Sequence, residues 1–188
     1  GEEAEALAAA GIACDTVPGI SAAQGAAAAT GIPLTHRDHA AMLVFATGHL
    51  QGEEGERTVA LDWAALARPH QTVVIYMGVG TLPIICAQLI AHGLPASTPA
   101  AMIERATLPG QRSIVGTLQT LPQLSVAYGV NPPALVMIGD TVALHARIGS
   151  SAEVLTGFPA AVDAATPQAL ACTASRAGGP PGLVCAAG

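Results

Sequence analysis

The residues best suited to chemistry lie in the first fifty positions, in three short polar patterns. These patterns are Val17-Pro18-Gly19-Ile20-Ser21-Ala22, Thr35-His36-Arg37 and Thr47-Gly48-His49. Pro18 fixes its own φ and Gly19 permits a tight turn, so that Ser21 is free to cap the alanine-rich stretch that follows. A helix that begins in this way presents unpaired N–H groups and a partial positive charge to a ligand. We therefore expect a ligand-binding turn at the carboxyl end of a strand.

A hydrolase nucleophile elbow is a second interpretation of the same turn. Gly19-Ile20-Ser21 fits the beginning of the Gly-x-Ser-x-Gly pattern, but Ala23 stands where its final glycine is needed. Helix capping alone explains a serine at this position. We therefore rank the hydrolase interpretation well below the ligand-binding turn.

Two further patterns suggest sites that the surrounding residues do not support. Gly78-Val79-Gly80 follows an apolar run, as a dinucleotide fingerprint would, but Pro83 occupies the position of the third glycine. His36 and His39 are three residues apart in a polar loop, which is more typical of surface residues than of metal ligands. We assign no metal to the chain.

The elements that must position these residues alternate between helices and strands. Apolar periodicity and capping residues predict helices at residues 2–10, 21–29, 63–67, 82–91 and 121–128. Short β-branched runs predict strands at residues 12–17, 42–46, 72–77, 100–103, 113–117 and 135–138. Such alternation indicates an α/β fold with a largely buried sheet.

Composition limits the classes of partner and the compartment. The chain of 188 residues has a net charge of −6, which argues against nucleic-acid binding. The four cysteines have no close pair, so they form neither a disulfide framework nor a zinc pattern, and a reducing cytoplasm fits them. No apolar run reaches the ~18 residues of a membrane span. The acidic N-terminal stretch is the reverse of a signal peptide.

The character of the chain changes after about residue 150. Residues 151–188 consist mostly of Ala, Gly, Pro, Ser and Thr, and Gly178-Gly179-Pro180-Pro181-Gly182 would interrupt any regular element. We predict a low-complexity flexible tail with a short helix near residues 167–172.

Residues 1–149 resemble the tetrapyrrole methylase family through an ordered series of motifs. Besides the first and third patterns above, the series is Pro33-Leu34-Thr35-His36-Arg37, Leu61-Asp62-Trp63, Tyr76-Met77-Gly78, His92-Gly93-Leu94-Pro95, Gln111-Arg112 and Pro133-Ala134-Leu135. The Thr-His-Arg and Thr-Gly-His motifs resemble those of family members that methylate uroporphyrinogen III. They are less similar to the motifs of members that act in the cobalamin pathway or methylate ribosomal RNA.

The resemblance implies a two-domain α/β methylase fold in which the first domain is incomplete. Residues 1–40 would be the remainder of the N-terminal α/β domain, residues 41–150 the C-terminal α/β domain, and residues 151–188 the tail. S-adenosyl-L-methionine would bind in the cleft between the domains. The family's first strands and its Gly-rich and Gly-Asp-Pro loops have no counterpart here, so we expect a truncated chain.

The resemblance also assigns site residues. Ser21 and Ala22 match a cofactor-contacting pair, and Met77 matches a methionine beside the cofactor. Ala106 stands where the family usually has glycine, and it too would contact the cofactor.

A tetrapyrrole substrate carries many carboxylates, which call for cationic or hydrogen-bonding side chains. Arg37 and Arg112 could each bind one carboxylate through two hydrogen bonds, and His49 could donate another. No residue present is a clear base for the proton that leaves the substrate, so the catalytic residue stays unknown.

The function that this resemblance implies is methylation of uroporphyrinogen III at carbon, giving precorrin-2 for sirohaem or cobalamin biosynthesis. S-adenosyl-L-methionine would be the methyl donor, and the enzyme would be a cytoplasmic homodimer. The alternative is a non-catalytic truncated remnant that only dimerises or binds a partner.

Overall fold

The computed structural model describes residues 1–50, 58–149 and 153–157. Their helices are α1 (Glu2–Ala9), α2 (Ala22–Thr30), α3 (Trp63–Leu66), α4 (Leu82–Ala91), α5 (Leu121–Ala127) and α6 (His145–Ile148), with a 3-10 helix at Asp140–Leu144. Their strands are β1 (Met42–Thr47), β2 (Gln71–Tyr76), β3 (Pro99–Glu104), β4 (Arg112–Thr117), β5 (Ala134–Ile138) and β6 (Glu153–Thr156). None of these helices has both the length and the apolar character needed to cross a bilayer.

The strands form one mixed sheet in the order β1-β2-β5-β3-β4-β6. Strand β1 is parallel to β2, and β5 lies antiparallel between β2 and β3. Strands β1, β2 and β3 therefore run in one direction and end at the same edge of the sheet, where β5 begins. This arrangement confirms the predicted α/β class and gathers four chain segments at one edge.

The central strands are buried on both faces of the sheet. In β2, Val73 and Ile75 contact the core on the first face, which α4 and α5 cover, while Val74 contacts the core on the second face. Helix α2 covers that second face through small residues such as Ala26. Trp63, at the start of α3, packs against the first face. Apolar residues on both faces explain the uninterrupted apolar run that predicted β2.

Helix α2 begins and ends as its sequence predicts. Ser21 is the N-cap, and its hydroxyl accepts a hydrogen bond from the N–H of Gln24. The Gln24 side chain accepts one from the Ser21 N–H in return, which completes a capping box. Gly31 ends the helix with a φ of 72°, a left-handed conformation that glycine adopts without steric cost.

The predicted strand at residues 12–17 is wrong. This segment has no regular structure, and Val17 is 89% exposed. A strand is stabilised by hydrogen bonds to a neighbour and by packing of its side chains, and no described strand pairs with this segment. The β-branched residues that suggested a strand therefore have no sheet to join.

The end of the described chain is more ordered than the sequence predicts. The 3-10 helix and α6 were not predicted, and the buried His145 donates from Nδ1 to the Thr30 carbonyl at 2.6 Å, which ties α6 to the end of α2. Strand β6 pairs parallel with β4, so the first residues of the expected tail belong to the sheet. The predicted helix at 167–172 and the rest of that tail lie outside the described residues.

We expect Cys86 to resist alkylation in the folded chain, whereas Cys14 reacts. Burial on α4 raises the pKa of the Cys86 thiol from its ordinary value of 9.0 to about 12, while Cys14 is exposed. The thiolate is the reactive form, so Cys86 has almost none at pH 8. Iodoacetamide treatment followed by peptide mass mapping checks this, and urea-unfolded chain is the control. Equal labelling of both cysteines in the folded chain would contradict the described core.

Candidate functional site

A cleft of about 1580 Å³ lies at the edge where β1, β2 and β3 end. Its walls are the start of α2, the turns that follow β1, β2 and β3, and the segment that leads into β5. In α/β sheets this edge is the usual place for a ligand. Residues 20–22 of the predicted ligand-binding turn line this cleft, but the strand that we expected before the turn is not formed in the described chain.

The cleft brings together five of the seven predicted site residues. Ser21, Ala22, His49, Met77 and Ala106 all line it. The turn before α2 and the residues after β2 thus face a common crevice, as the resemblance implies.

Hydrogen bonds at the start of α2 differ from the expected row of unpaired amides. The Gln24 N–H donates to the Ser21 hydroxyl at 3.3 Å, and the Ala23 N–H donates to the hydroxyl oxygen of Tyr76 at 3.1 Å. Within the described chain the Ala22 N–H has no partner, so one amide is left to bind a ligand. Tyr76 accepts in this bond, which leaves its own O–H free to donate into the cleft.

Two glycines bring the ends of β1 and β2 into contact. A side-chain carbon added at Gly48 would lie 2.9 Å from the Cα of Gly78, closer than such carbons pack in proteins. The Gly48 N–H donates to the Tyr76 carbonyl at 2.7 Å, and the Thr81 hydroxyl donates to the Gly48 carbonyl at 2.8 Å. These contacts fix the turns that carry His49 and Met77.

The cleft concentrates unfavourable backbone conformations. Four non-glycine residues of the described chain have positive φ, and three of them line the cleft: Met77 at 54°, Arg105 at 52° and Thr107 at 67°. Each such residue costs roughly 1–3 kcal/mol and is held in place by its surroundings. Strain of this kind is typical of binding sites.

Ala106 fits its position although glycine is usual there in the family that the sequence resembles. Its own φ is not positive, because the left-handed conformations fall on the residues to either side, Arg105 and Thr107. The Ala106 side chain packs against the core on the second face of the sheet. Gly25 of α2 lies opposite this turn. A side-chain carbon added at Gly25 would lie 3.3 Å from the Thr107 methyl group, which would have to shift slightly.

Arg105 is a cleft residue that the sequence analysis did not select. It lines the cleft, its side chain is exposed, and it has no carboxylate partner in the described part of the chain. The lining contains no acidic residue, so Arg105 gives the cleft a positive charge. The signal available in the sequence was its place two residues after the predicted strand at 100–103, next to the family motif position at Ala106.

The two other predicted arginines do not line the cleft. Arg112 is half-buried and forms an ion pair with the buried Glu104, with 2.6 Å between its Nε and the carboxylate Oε2. Its Nη1 also donates to the Tyr128 carbonyl at 3.0 Å, so its present contacts are structural. Arg37 is exposed in the turn that His36 and Ala40 close by pairing their backbones. The substrate roles expected of both stay predictions.

The His36–His39 loop shows no metal-binding arrangement. The two rings lie 4.8 Å apart, centre to centre, and the Asp38 carboxylate is 3.9 Å from His36 Nδ1. No group of three or more His, Cys, Asp or Glu residues in the described ranges could hold a metal ion.

Comparison with known proteins assigns the chain to a family. The family model for Tetrapyrrole (Corrin/Porphyrin) Methylases matches residues 1–122. A siroheme synthase of Nitrosospira multiformis is 52% identical over 148 residues, which are 79% of this chain and 30% of that protein. The chain thus spans about 30% of the length of the curated relative it matches.

Two solved structures from Thermus thermophilus are also similar. The native form of uroporphyrin III C-methyl transferase shares 32% identity and a TM-score of 0.62, with 76% of this chain and 58% of that chain covered. A form complexed with S-adenyl homocysteine shares 33% identity and a TM-score of 0.59, with 76% and 60% covered. Since the family model matches more than half of its residues, the chain belongs to the tetrapyrrole (corrin/porphyrin) methylase family.

Proposed function

We propose that this chain serves the S-adenosyl-L-methionine-dependent methylation of uroporphyrinogen III at carbon, which gives precorrin-2 for sirohaem or cobalamin biosynthesis. The names of the similar proteins support this substrate and reaction, since they are siroheme synthases and uroporphyrin III C-methyl transferases. We also propose that the protein is a cytoplasmic homodimer. The methylation itself is the activity proposed for the longer proteins that the chain matches in part.

The observation that carries the proposal is the cleft that joins Ser21 and Ala22 to Met77 and Ala106. A similar protein was solved with S-adenyl homocysteine bound, which supports a cofactor of this kind. The cleft fits such a group: small side chains leave room for an adenosyl moiety, and the Ala22 N–H and Tyr76 O–H can donate to it. Met77 is 63% exposed, and its flexible thioether can pack on a flat ring.

The chemistry that S-adenosyl-L-methionine supplies is a methyl group on a sulfonium cation, which an electron-rich pyrrole carbon attacks. The barrier to such a transfer depends on alignment and exclusion of water more than on acid catalysis. The residues of this chain would therefore act by positioning. The hydrogen bonds at Gly48 and the capped start of α2 hold the cleft walls in place.

The substrate would bind through its carboxylates. Arg105 is the guanidinium that the described cleft offers to them, and His49 lies on the same cleft. Arg37 stays a candidate for a carboxylate outside the cleft lining. A charge-assisted hydrogen bond contributes about 1.5–3 kcal/mol, less where water screens it.

Filling the cleft at Ala22 should weaken cofactor binding. We expect Ala22→Leu to raise the dissociation constant of S-adenosylhomocysteine at least about tenfold, because the added atoms occupy adenosyl space and cover the Ala22 N–H. Isothermal titration calorimetry of the 188-residue chain measures it. Ala87→Leu, at an exposed position of α4, is the matched control and should bind like the wild type. Failure of the wild type to bind at millimolar ligand would refute the proposed function.

Removing the charge of Arg105 should weaken binding of the tetrapyrrole. We expect Arg105→Gln to raise the dissociation constant of uroporphyrin III, a stable oxidised form of the substrate, about tenfold, because one charge-assisted hydrogen bond is lost. Quenching of porphyrin fluorescence measures it. Arg68→Gln removes an exposed arginine outside the cleft and should change the constant less than about twofold. Equal effects of the two substitutions would indicate only long-range attraction.

A methylation assay separates the proposal from the non-catalytic alternative. Turnover of uroporphyrinogen III by the 188-residue chain would exclude a remnant that only dimerises or binds a partner. Binding of S-adenosylhomocysteine without turnover would favour that alternative.

A further inference from the structure

An ion pair between the buried Glu104 and the half-buried Arg112 lies directly behind the cleft turn that begins at Arg105. These residues face each other in the register of β3 and β4, at the end of one strand and the start of the next. Glu104 is 6% exposed, and it is the one acidic residue buried in the described chain. Arg112 contacts its Oε2 through both Nε and Nη2. The pair therefore occupies one carboxylate oxygen and leaves Oε1 for another partner.

That second partner is the loop that leads into β5. The Asn131 N–H donates to Glu104 Oε1 at 3.0 Å, and Asn131 directly precedes two cleft-lining residues, Pro132 and Pro133. Proline has no N–H, so this segment cannot be held through amides of its own. Its backbone contacts to the cleft turn are the Asn131 amide, bound to Glu104, and the Pro133 carbonyl, which accepts from the Arg105 N–H at 2.9 Å.

Glu104 and Arg105 are consecutive, so this short stretch contacts the loop at residues 131–133 twice, through the Glu104 side chain and through the Arg105 backbone. The Glu104 side chain anchors the proline loop, and the next residue lines the cleft and donates to that loop. Arg112 supplies the positive charge that pairs with the buried carboxylate of Glu104. Its hydrogen bond to the Tyr128 carbonyl also connects this pair to the end of α5. A buried carboxylate that loses its cationic partner is strongly destabilising.

We propose that Glu104 and Arg112 are positioning residues, which set the distance between the 105–108 turn and the 132–134 segment for the adenosyl ligand. This inference rests on the proposed function, because it assumes that the cleft binds S-adenosylhomocysteine. It gives Arg112 a role through Glu104 in place of direct contact with substrate. The Glu104 side chain serves the cleft through its bond to the Asn131 N–H, and loss of that acceptor loosens the wall even where the fold persists.

Two double substitutions isolate the anchor. Glu104→Met with Arg112→Met removes both charges and the acceptor for Asn131, whereas Glu104→Gln with Arg112→Met removes both charges and keeps an acceptor. Replacing a whole buried ion pair by apolar residues often leaves stability unchanged, so the double-methionine variant should fold. The glutamine variant should fold because its buried amide keeps the Asn131 N–H as a partner. The two differ only in what residue 104 offers to the Asn131 N–H.

We expect the dissociation constant for S-adenosylhomocysteine to rise at least about tenfold in the double-methionine variant and to stay within about threefold of wild type in the glutamine variant. Hydrogen exchange of the peptide that spans residues 129–135, measured without ligand, should be faster in the double-methionine variant alone. A purely structural role would lower the melting temperature of both variants without separating their affinities.

Equal affinity of the folded double-methionine variant and the wild type would overturn the inference. Should that variant fail to fold, Glu104→Asp decides, because it keeps the charge for Arg112 and withdraws the carboxylate from Asn131. Wild-type affinity in Glu104→Asp would equally overturn the anchor, and weakened affinity with an intact melting transition supports it. If the wild type itself binds no S-adenosylhomocysteine while the exchange difference persists, the proposed function fails and the anchor stands as a structural contact only.

Discussion

The hydrogen bond between the Ala23 N–H and the Tyr76 hydroxyl is the contact on which the arrangement of the cleft depends. It joins residues 53 positions apart and sets the start of α2 directly over the end of β2. Among the described residues, it is the hydrogen bond that joins these two cleft walls. The bond also decides which groups remain for a ligand, because it consumes one helix amide and leaves the Ala22 N–H and the tyrosine proton.

The cleft is shaped as much by small residues as by the groups that line it. Gly48 and Gly78 allow the ends of β1 and β2 to approach closely, and Gly25 allows α2 to lie against the turn at Thr107. Apolar packing on both faces of the central strands supplies the rigidity that the strained turns need. The close approach of the backbones at the cleft therefore depends on the densely packed core behind it.

Local signals predicted most of the fold, because they depend on neighbours in the chain. The capping serine and the terminal glycine placed α2, and an apolar run placed β2. The segment at 12–17 has strand-like residues but no strand beside it, and a sequence does not show which neighbours are present. The 3-10 helix and β6 were missed for a similar reason, since contacts with distant residues stabilise them: Thr141 bonds to Thr72, and β6 pairs with β4.

Site residues divide in the same way. Ser21, Ala22, His49, Met77 and Ala106 sit at the ends of elements that local patterns already placed, and the cleft contains all of them. The position of Arg112 depends on the register between β3 and β4, which brings it opposite Glu104, and no local pattern encodes that pairing. Arg105 was missed because its neighbour carried the family motif.

The place of Trp63 has a consequence for spectroscopy. It is the single tryptophan of the chain, and it packs on the face of the sheet opposite α2, outside the cleft lining. Its emission will therefore report loss of the core during denaturation and remain nearly silent when a ligand enters. Tyr76 lines the cleft, so binding of a ligand there is better followed through the tyrosine absorption band. The Trp63 indole then serves as an internal reference.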